Sequence, residues 1–399
     1  MTMADNKDKK VLNVPALRFP EFCGEWERHK LSEVCSFYSG GTPSSSKKEY
    51  YNGNIPFIRS GELHKDYTEL FITEAGLSNS AAKLVETGDL LLALYGATSG
   101  DIAISKIKGA INQAILCIRT KQNKKFIESV WNKHVERLLQ TYLQGGQGNL
   151  SADIVKNIPF YFANSDEQDK LAKFISLLDE RIVTQNKIIE KYESLIQAII
   201  YKAKMDGINK GTWRRIDLCK ILQERNEKNV NGRTICSVSV SQGVVNQVEY
   251  LGRSFAAKQT SHYNIVKYGD IVYTKSPTGN FPYGIIKRSN IREDVAVSPL
   301  YGVYIPASDS IGVILHFYFM RSSNAFNYLH PLIQKGAKNT INITNGRFLE
   351  NSVPLPISEN EANSIAGILK TIQAKIEIEK NLLQSYTKEK EYLLRQMFI

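Results

Sequence analysis

The stretch from Ser165 to about Lys204 carries an apolar heptad pattern too long for an ordinary globular core. Leu171, Ile175, Leu178, Ile182, Gln185, Ile189, Tyr192, Ile196 and Ile199 step alternately by four and three residues, with Gln185 as the polar break. Neither Pro nor Gly interrupts the pattern before Gly207, and Ser165-Asp166-Glu167-Gln168 has the form of a capping box at its start. At 1.5 Å per residue, about 40 residues make a rod of roughly 60 Å. Such a rod has to pair along its length with another helix.

That helix is predicted over 358–399. Ser358-Glu359-Asn360-Glu361 reads as a second capping box. Adding 194 to each seam position gives Ile365, Leu369, Ile372, Ile376, Glu379, Leu383, Tyr386, Lys390 and Leu393. Cap, phase, tyrosine and polar break all recur, which marks an internal repeat. The first helix leaves one module and reaches the next, so its partner has to run back, antiparallel. The seam is expected to use Leu178, Ile182, Gln185 and Ile189 against Ile372, Ile376, Glu379 and Leu383. Gln185 and Glu379 are expected to face each other near a pseudo-two-fold axis.

The segments ahead of the two helices repeat as well. Gly24-Glu25-Trp26 corresponds to Gly211-Thr212-Trp213, and both tryptophans read as core anchors. Gly88-Asp89 and Gly269-Asp270 each open a turn into an apolar strand, which ends in a small-residue loop, 96–100 and 276–279. Gln144 to Asn149 resembles Gln334 to Asn339, and Ile158-Pro159 matches Val353-Pro354. The expected order is a flexible tail over 1–15, an α+β module over 16–164, a long helix over 165–204, a second module over 205–357 and a long helix over 358–399. The core skeleton repeats while the loops differ, as suits two modules that recognise two different things.

The chain's 51 Lys and Arg against 40 Asp and Glu leave a formal charge of +11. That balance favours a polyanionic partner, nucleic acid first. No apolar run approaches a membrane span. The charged first ten residues lack the apolar segment of a signal peptide. The five cysteines form no C-x-x-C pair and have no His at zinc spacing. They read as reduced thiols of a cytoplasmic protein. G-x-x-x-x-G-K-[ST], H-E-x-x-H, G-x-S-x-G and a G-x-G-x-x-G after a strand are all absent from the sequence. The six histidines show no ligand spacing. No cofactor, metal or catalytic group is expected.

With the repeat in place, the whole chain from Trp26 to Met397 resembles the specificity subunits of type I restriction-modification systems. The resemblance rests on the module-helix-module-helix order, on the Gly-Asp-Leu-Leu strand with its Gly-bounded loop at 88–100, and on the helix approach through Gln147-Gly148-Asn149-Leu150, Ile158-Pro159 and Glu167-Gln168. The second copy departs from it, with Glu361-Ala362 and Lys338-Asn339-Thr340-Ile341 at the matching places. The resemblance implies an α+β fold: two target recognition domains separated by two long antiparallel coiled-coil helices. Each domain would read half of a bipartite, asymmetric site in double-stranded DNA. The helices would set the unread spacer and dock two modification (methyltransferase) subunits, with restriction subunits completing an endonuclease. The chain itself would be non-catalytic.

Phosphate contacts need Lys, Arg and small polar donors on exposed loops, and base contacts need side chains that reach a groove edge. In the first module this selects Tyr38, Thr42, Ser44, Ser45, Lys47, Lys48, Tyr95, Thr98, Ser99 and Gln147. In the second it selects Lys258, Gln259, Tyr273, Lys275, Ser276, Thr278, Lys335, Lys338 and Asn339. A non-catalytic scaffold whose modules bind RNA or protein is the alternative; the RNP aromatics of an RRM and a KH-type G-x-x-G in context are missing.

Overall fold

The structure is a computed structural model that describes residues 12–143, 149–253, 259–335 and 341–399. Its contacts divide the chain into two units. One holds the residues up to Gln185 together with Leu382–Ile399, and the other holds Asn186–Asn381. Each unit therefore owns one module and half of each long helix.

The two modules are built on the same sheet. In the first unit the strands Cys35–Ser39, Ile115–Thr120, Leu90–Ala93 and Ile102–Ile104 lie side by side in that order, all antiparallel. In the second unit the order is Leu222–Glu224, Gly302–Pro306, Ile271–Tyr273 and Ile286–Arg288, again antiparallel. The Gly-Asp turn is the common entry to the third of these strands. Gly88 and Gly269 sit at φ of +90° and +92°, a region L side chains avoid. The aspartates cap the turn: Asp89 accepts the Glu86 N–H at 3.0 Å and Asp270 the Lys267 N–H at 2.7 Å. Both also hold an arginine, Arg119 on Asp89 at 2.9 Å and Arg225 on both oxygens of Asp270 at 2.7 and 2.9 Å. Burial pushes Asp89 up, but Arg119, the Glu86 N–H and Lys124 outweigh it and hold the carboxyl below its ordinary value.

A second, two-stranded ladder in each unit leads into a long helix. Glu27–Lys30 pairs with Pro159–Phe162, and Trp213–Asp217 with Ser352–Pro356. The helices follow at Ser165–Lys210 and Glu359–Met397. The cap of the first is Asn164 rather than the expected Ser165: its Oδ1 accepts the Glu167 N–H at 2.9 Å and its carbonyl the Gln168 N–H at 3.0 Å. Asn164 then matches Ser358, whose carbonyl accepts the Ala362 N–H, at the same 194-residue offset as the seams. Gln168 turns away from the cap and donates to the Ala163 and Gln122 oxygens.

The first helix runs past the expected end near Lys204, through Gly207, to Lys210. A glycine is required there. The Trp213 indole lies against the helix so closely that a Cβ on Gly207 would fall 1.9 Å from the ring. The expected tail over 1–15 is also tethered where it is described, since the Asn13 carbonyl accepts the Trp26 N–H at 2.8 Å.

Seam positions are buried or half-buried. Leu171, Ile175, Gln185, Ile189 and Ile196 are buried, as are Leu369, Ile372, Ile376 and Leu393; Leu178, Ile182, Glu379 and Leu383 are half-buried. In the first unit the two helices run antiparallel. Asp179 pairs with Lys390 at 2.5 Å, and Arg181 donates to the Tyr386 hydroxyl at 3.1 Å. In the second unit Glu193 pairs with Lys380 at 3.4 Å.

The end of the C-terminal helix enters the core of the first module. Phe398 is 1% exposed and sits 5.5 Å from the Phe126 ring and 6.4 Å from Trp26. Lys133 donates to the carbonyls of Arg395 and Phe398, and His134 bonds the Ile399 oxygen.

Candidate nucleic-acid interface

Antiparallel order brings the loops of each module to one end of its sheet. In the first module Ser39 is paired with Leu116, and Ala93 with Ile115. The loops after Ser39, after Ala93 and before Ile115 therefore emerge together. Their backbones are cross-tied: Gly41 N–H to the Ile111 carbonyl at 3.2 Å, and Leu94 N–H to the Ala114 carbonyl at 2.8 Å. Thr42 donates to Gln113 Oε1 at 2.5 Å. The Leu150 N–H reaches the Leu94 carbonyl at 2.9 Å. Gln147 itself lies outside the described residues.

Of the residues the sequence selects here, Thr42, Ser44, Ser45, Lys47 and Lys48 are exposed, and Tyr95, Thr98 and Ser99 are half-buried. Several already hold internal partners. The Lys47 ammonium reaches the Tyr50 hydroxyl at 3.0 Å and lies 5.0 Å from its ring centroid. Ser44 and Ser46 bond each other at 2.8 Å, and Ser99 donates to the Leu94 carbonyl at 3.0 Å. Tyr38 lies within its strand, one residue before its end. Its hydroxyl donates to the Leu84 carbonyl at 2.9 Å and its ring lies beneath Arg119 at 5.1 Å, so it braces the sheet. Burial pushes that hydroxyl well above its ordinary pKa.

The second module repeats the arrangement. Glu224 is paired with Tyr304, and Tyr273 with Gly302. The loops after Glu224 and Tyr273 and before Gly302 share one sheet end. Lys275 is half-buried there; burial lowers its pKa, and the nearby Glu224 opposes that shift. Gln259, Ser276 and Thr278 are exposed. Tyr273 has to be withdrawn as a contact. It is 1% exposed, stacks on Phe348 at 4.7 Å, and spends its hydroxyl on the Tyr283 carbonyl at 2.8 Å. Strand alternation puts its ring into the core. Lys335 belongs to a ladder pairing Gln334–Lys335 with Ile341–Asn342. Lys258, Lys338 and Asn339 lie outside the described residues.

Sequence reasoning missed two groups at these ends. Gln113 ties the loop before Ile115 to Thr42. Tyr283, Phe326 and His330 form a partly exposed aromatic cluster, with Phe326 stacked on His330 at 5.1 Å and Tyr283 5.3 Å from Phe326. The Tyr283 carbonyl receives the Tyr273 hydroxyl, which sets the cluster beside the loop end. The i, i+4 spacing of Phe326 and His330 on a helix was the available signal. Among the described residues no group of three or more His, Cys, Asp or Glu is placed to hold a metal ion, and no helix is long and apolar enough to cross a membrane.

Comparison with known proteins bears on this interface. Residues 24–194 match the family described as type I restriction modification DNA specificity domain. The chain is 22% identical over 419 residues to the type I restriction enzyme MjaVIII specificity subunit of Methanocaldococcus jannaschii, covering 97% of this chain and 95% of that one. It is 27% identical over 204 residues to the EcoR124I/EcoR124II specificity subunit of Escherichia coli, about half of each chain (48% and 49%). Its fold matches the type I restriction-modification system S subunit of M. genitalium with a TM-score of 0.60 at 14% identity, over 97% of this chain and 99% of that one.

Proposed function

We propose that this chain, which belongs to the family of type I restriction-modification specificity subunits, reads a bipartite, asymmetric site in double-stranded DNA, one half with the loop end of each module. One observation carries the reading. The two sheets share strand order and register, yet the loops at their corresponding ends differ in length and residue type. A repeated scaffold with unlike reading edges suits two unlike half-sites. Lys48, Ser45 and Thr42 in the first module, and Lys275, Ser276 and Thr278 in the second, are proposed to supply phosphate and groove-edge contacts.

The chemistry of cleavage and methylation is proposed to belong to partner subunits that dock on the long helices. Those helices carry exposed apolar side chains off the seam, among them Leu177 and Val183 in the first unit and Leu195, Ile368 and Ile378 in the second. Exposed apolar residues of this size on a helix suit a protein partner. The partners are proposed to be two modification (methyltransferase) subunits and the restriction subunits, with the assembly acting in the cytoplasm.

The test is a module exchange. Replacing residues 16–164 by the corresponding module of a relative is expected to change one half of the site read by the assembled enzyme and to leave the other half intact. A change in both halves would refute the two-reader model. A gel shift preferring RNA over duplex DNA would favour the scaffold alternative.

A further inference from the structure

The second unit contains a cavity of about 950 Å³ away from its loop end. Its walls are the strand Ile286–Arg288, the helix Asp309–Phe319, the central helix around Glu193 and Ile196, and the C-terminal helix from Lys370 to Lys380. Arg288 is paired with Ile271, at the opposite end of that strand from Tyr273 and its loop. The cavity is thus distinct from the candidate DNA-reading edge.

Lys287, Arg288 and His316 line it. Lys287 is 2% exposed, and among the described residues its ammonium has no hydrogen-bond or ion-pair partner. Arg288 is 3% exposed; its terminal nitrogens hold Asp309 and Asn290, but its Nε is buried without a partner. The Arg288 backbone N–H donates to His316 Nδ1 at 3.1 Å, which leaves the imidazole neutral with its proton on Nε2. Burial lowers the Lys287 pKa to about 8, so the group remains largely charged at neutral pH. An unpaired ammonium in such a place is costly unless an anion joins it.

The sheet does not need a cation at Lys287, whereas Arg288 ties Asp309 and Asn290. In the first module the matching sheet positions are Ala103 and Ile104, paired with Leu91 and Leu90 as Lys287 and Arg288 are paired with Val272 and Ile271. The second module alone places two charged side chains on this strand. Around them the walls are mixed: Ile196, Phe317 and Ile376 form an apolar patch beside Arg292, Lys370, Lys380 and the carboxylates Glu193 and Glu377.

We propose that this cavity binds a small organic phosphate of nucleoside-monophosphate size, its phosphate on Lys287, Arg288 and His316 and its organic body against Ile196, Phe317 and Ile376. The lining carries Lys287, Arg288, Arg292, Lys370 and Lys380 against the carboxylates Glu193 and Glu377, an excess of positive charge that suits a doubly charged phosphate better than a carboxylate. A volume in the range of small-molecule pockets, with an apolar patch of Ile196, Phe317 and Ile376 beside the charged groups, calls for a body larger than a bare ion.

The test uses the full chain with AMP, inorganic phosphate and adenosine as probes, read by calorimetry and thermal shift. AMP is expected to bind and raise the unfolding temperature. Lys287→Ala, which installs the first module's residue, is expected to weaken AMP by at least about tenfold while leaving the unliganded chain as stable as before or more so. Should that variant fail to fold, Lys287→Met repeats the arm, and 31P resonances of AMP displaced by pyrophosphate report on the wild-type chain directly. No AMP binding to wild type, undiminished binding to the Lys287 variants, or adenosine binding as tightly as AMP would each overturn the proposal. Inorganic phosphate binding as tightly as AMP would overturn the organic body.

Discussion

Glu361 in the first turn of the C-terminal helix accepts the indole N–H of Trp213 at 2.8 Å. The pair is the repeat of Glu167 and Trp26, which meet at 3.2 Å one repeat earlier. Each module is thereby pinned to the start of the helix that follows it. The two pins differ in depth. The Glu167 side chain is 1% exposed and also takes both Nε and NH2 of Arg18 at 2.7 Å, whereas Glu361 is half-buried. Removing a buried charge's partner costs about 3–5 kcal/mol, and a part-buried hydrogen bond about 1 kcal/mol. Glu167→Ala is therefore expected to destabilise its unit by about 3 kcal/mol, and Glu361→Ala by about 1 kcal/mol. Urea unfolding of the two variants measures the difference; equal losses would deny the asymmetry.

Two helix glycines make a matched pair. Replacing Gly in a helix by Ala ordinarily stabilises by about 1 kcal/mol. Gly367 has nothing within 4 Å of the space a Cβ would fill, so Gly367→Ala is expected to show that gain. Gly207 lies against the Trp213 ring, so Gly207→Ala is expected to cost about 1–3 kcal/mol through overpacking. Thermal melts of both variants should move in opposite directions.

His316 predicts a pH dependence. Burial, with Lys287 and Arg288 nearby, lowers its pKa to about 3, against an ordinary 6.5. Between those values the unfolded chain binds a proton that the folded chain refuses. The stability linked to His316 is thus fully present above pH 6.5 and is lost as pH falls toward 3. The slope is up to about 1.4 kcal/mol per pH unit. His316→Asn keeps an acceptor for the Arg288 N–H and should remove that part of the slope between pH 6.5 and 4. An unchanged slope would mean that other groups carry it.

DNA binding gives a graded prediction. Lys48→Ala and Lys275→Ala should each weaken duplex binding across sequences and reduce the slope of log K against log salt by about 1. Tyr273→Phe should leave binding unchanged and cost only stability, since its hydroxyl bonds the Tyr283 carbonyl inside the module. A Tyr273→Phe variant that lost affinity without losing stability would return that residue to the interface.

How much was legible in the sequence depends on the range of the interaction. The heptad seams, the Gly-Asp turns and the 194-residue repeat are local or periodic patterns. Backbone sterics at Gly88 and Gly269 and the 3.5-residue period of a paired helix write them directly into residue order. The first cap was misread by one position, because Ser165 and Asn164 both have the chemistry of a cap and only the chain path selects between them. The helix end at Lys210 was hidden by Gly207, which reads as a stop until Trp213 is seen to occupy the space beside it.

The interface was legible as loops but not as side chains. Tyr273 and Tyr38 are of the residue type that contacts DNA, yet sheet register turned one into the core and gave the other to the Leu84 carbonyl. Composition could not foresee that Phe398 completes the core around Trp26 and Phe126, nor that Lys287 and Arg288 share a cavity with His316. The order of residues by itself determined the elements, their duplication and the positive charge. Burial of each side chain, and the partners of each charge, were decided only when residues from separate elements were brought into contact, because desolvation and hydrogen bonding act over a few ångströms of space and not along the chain.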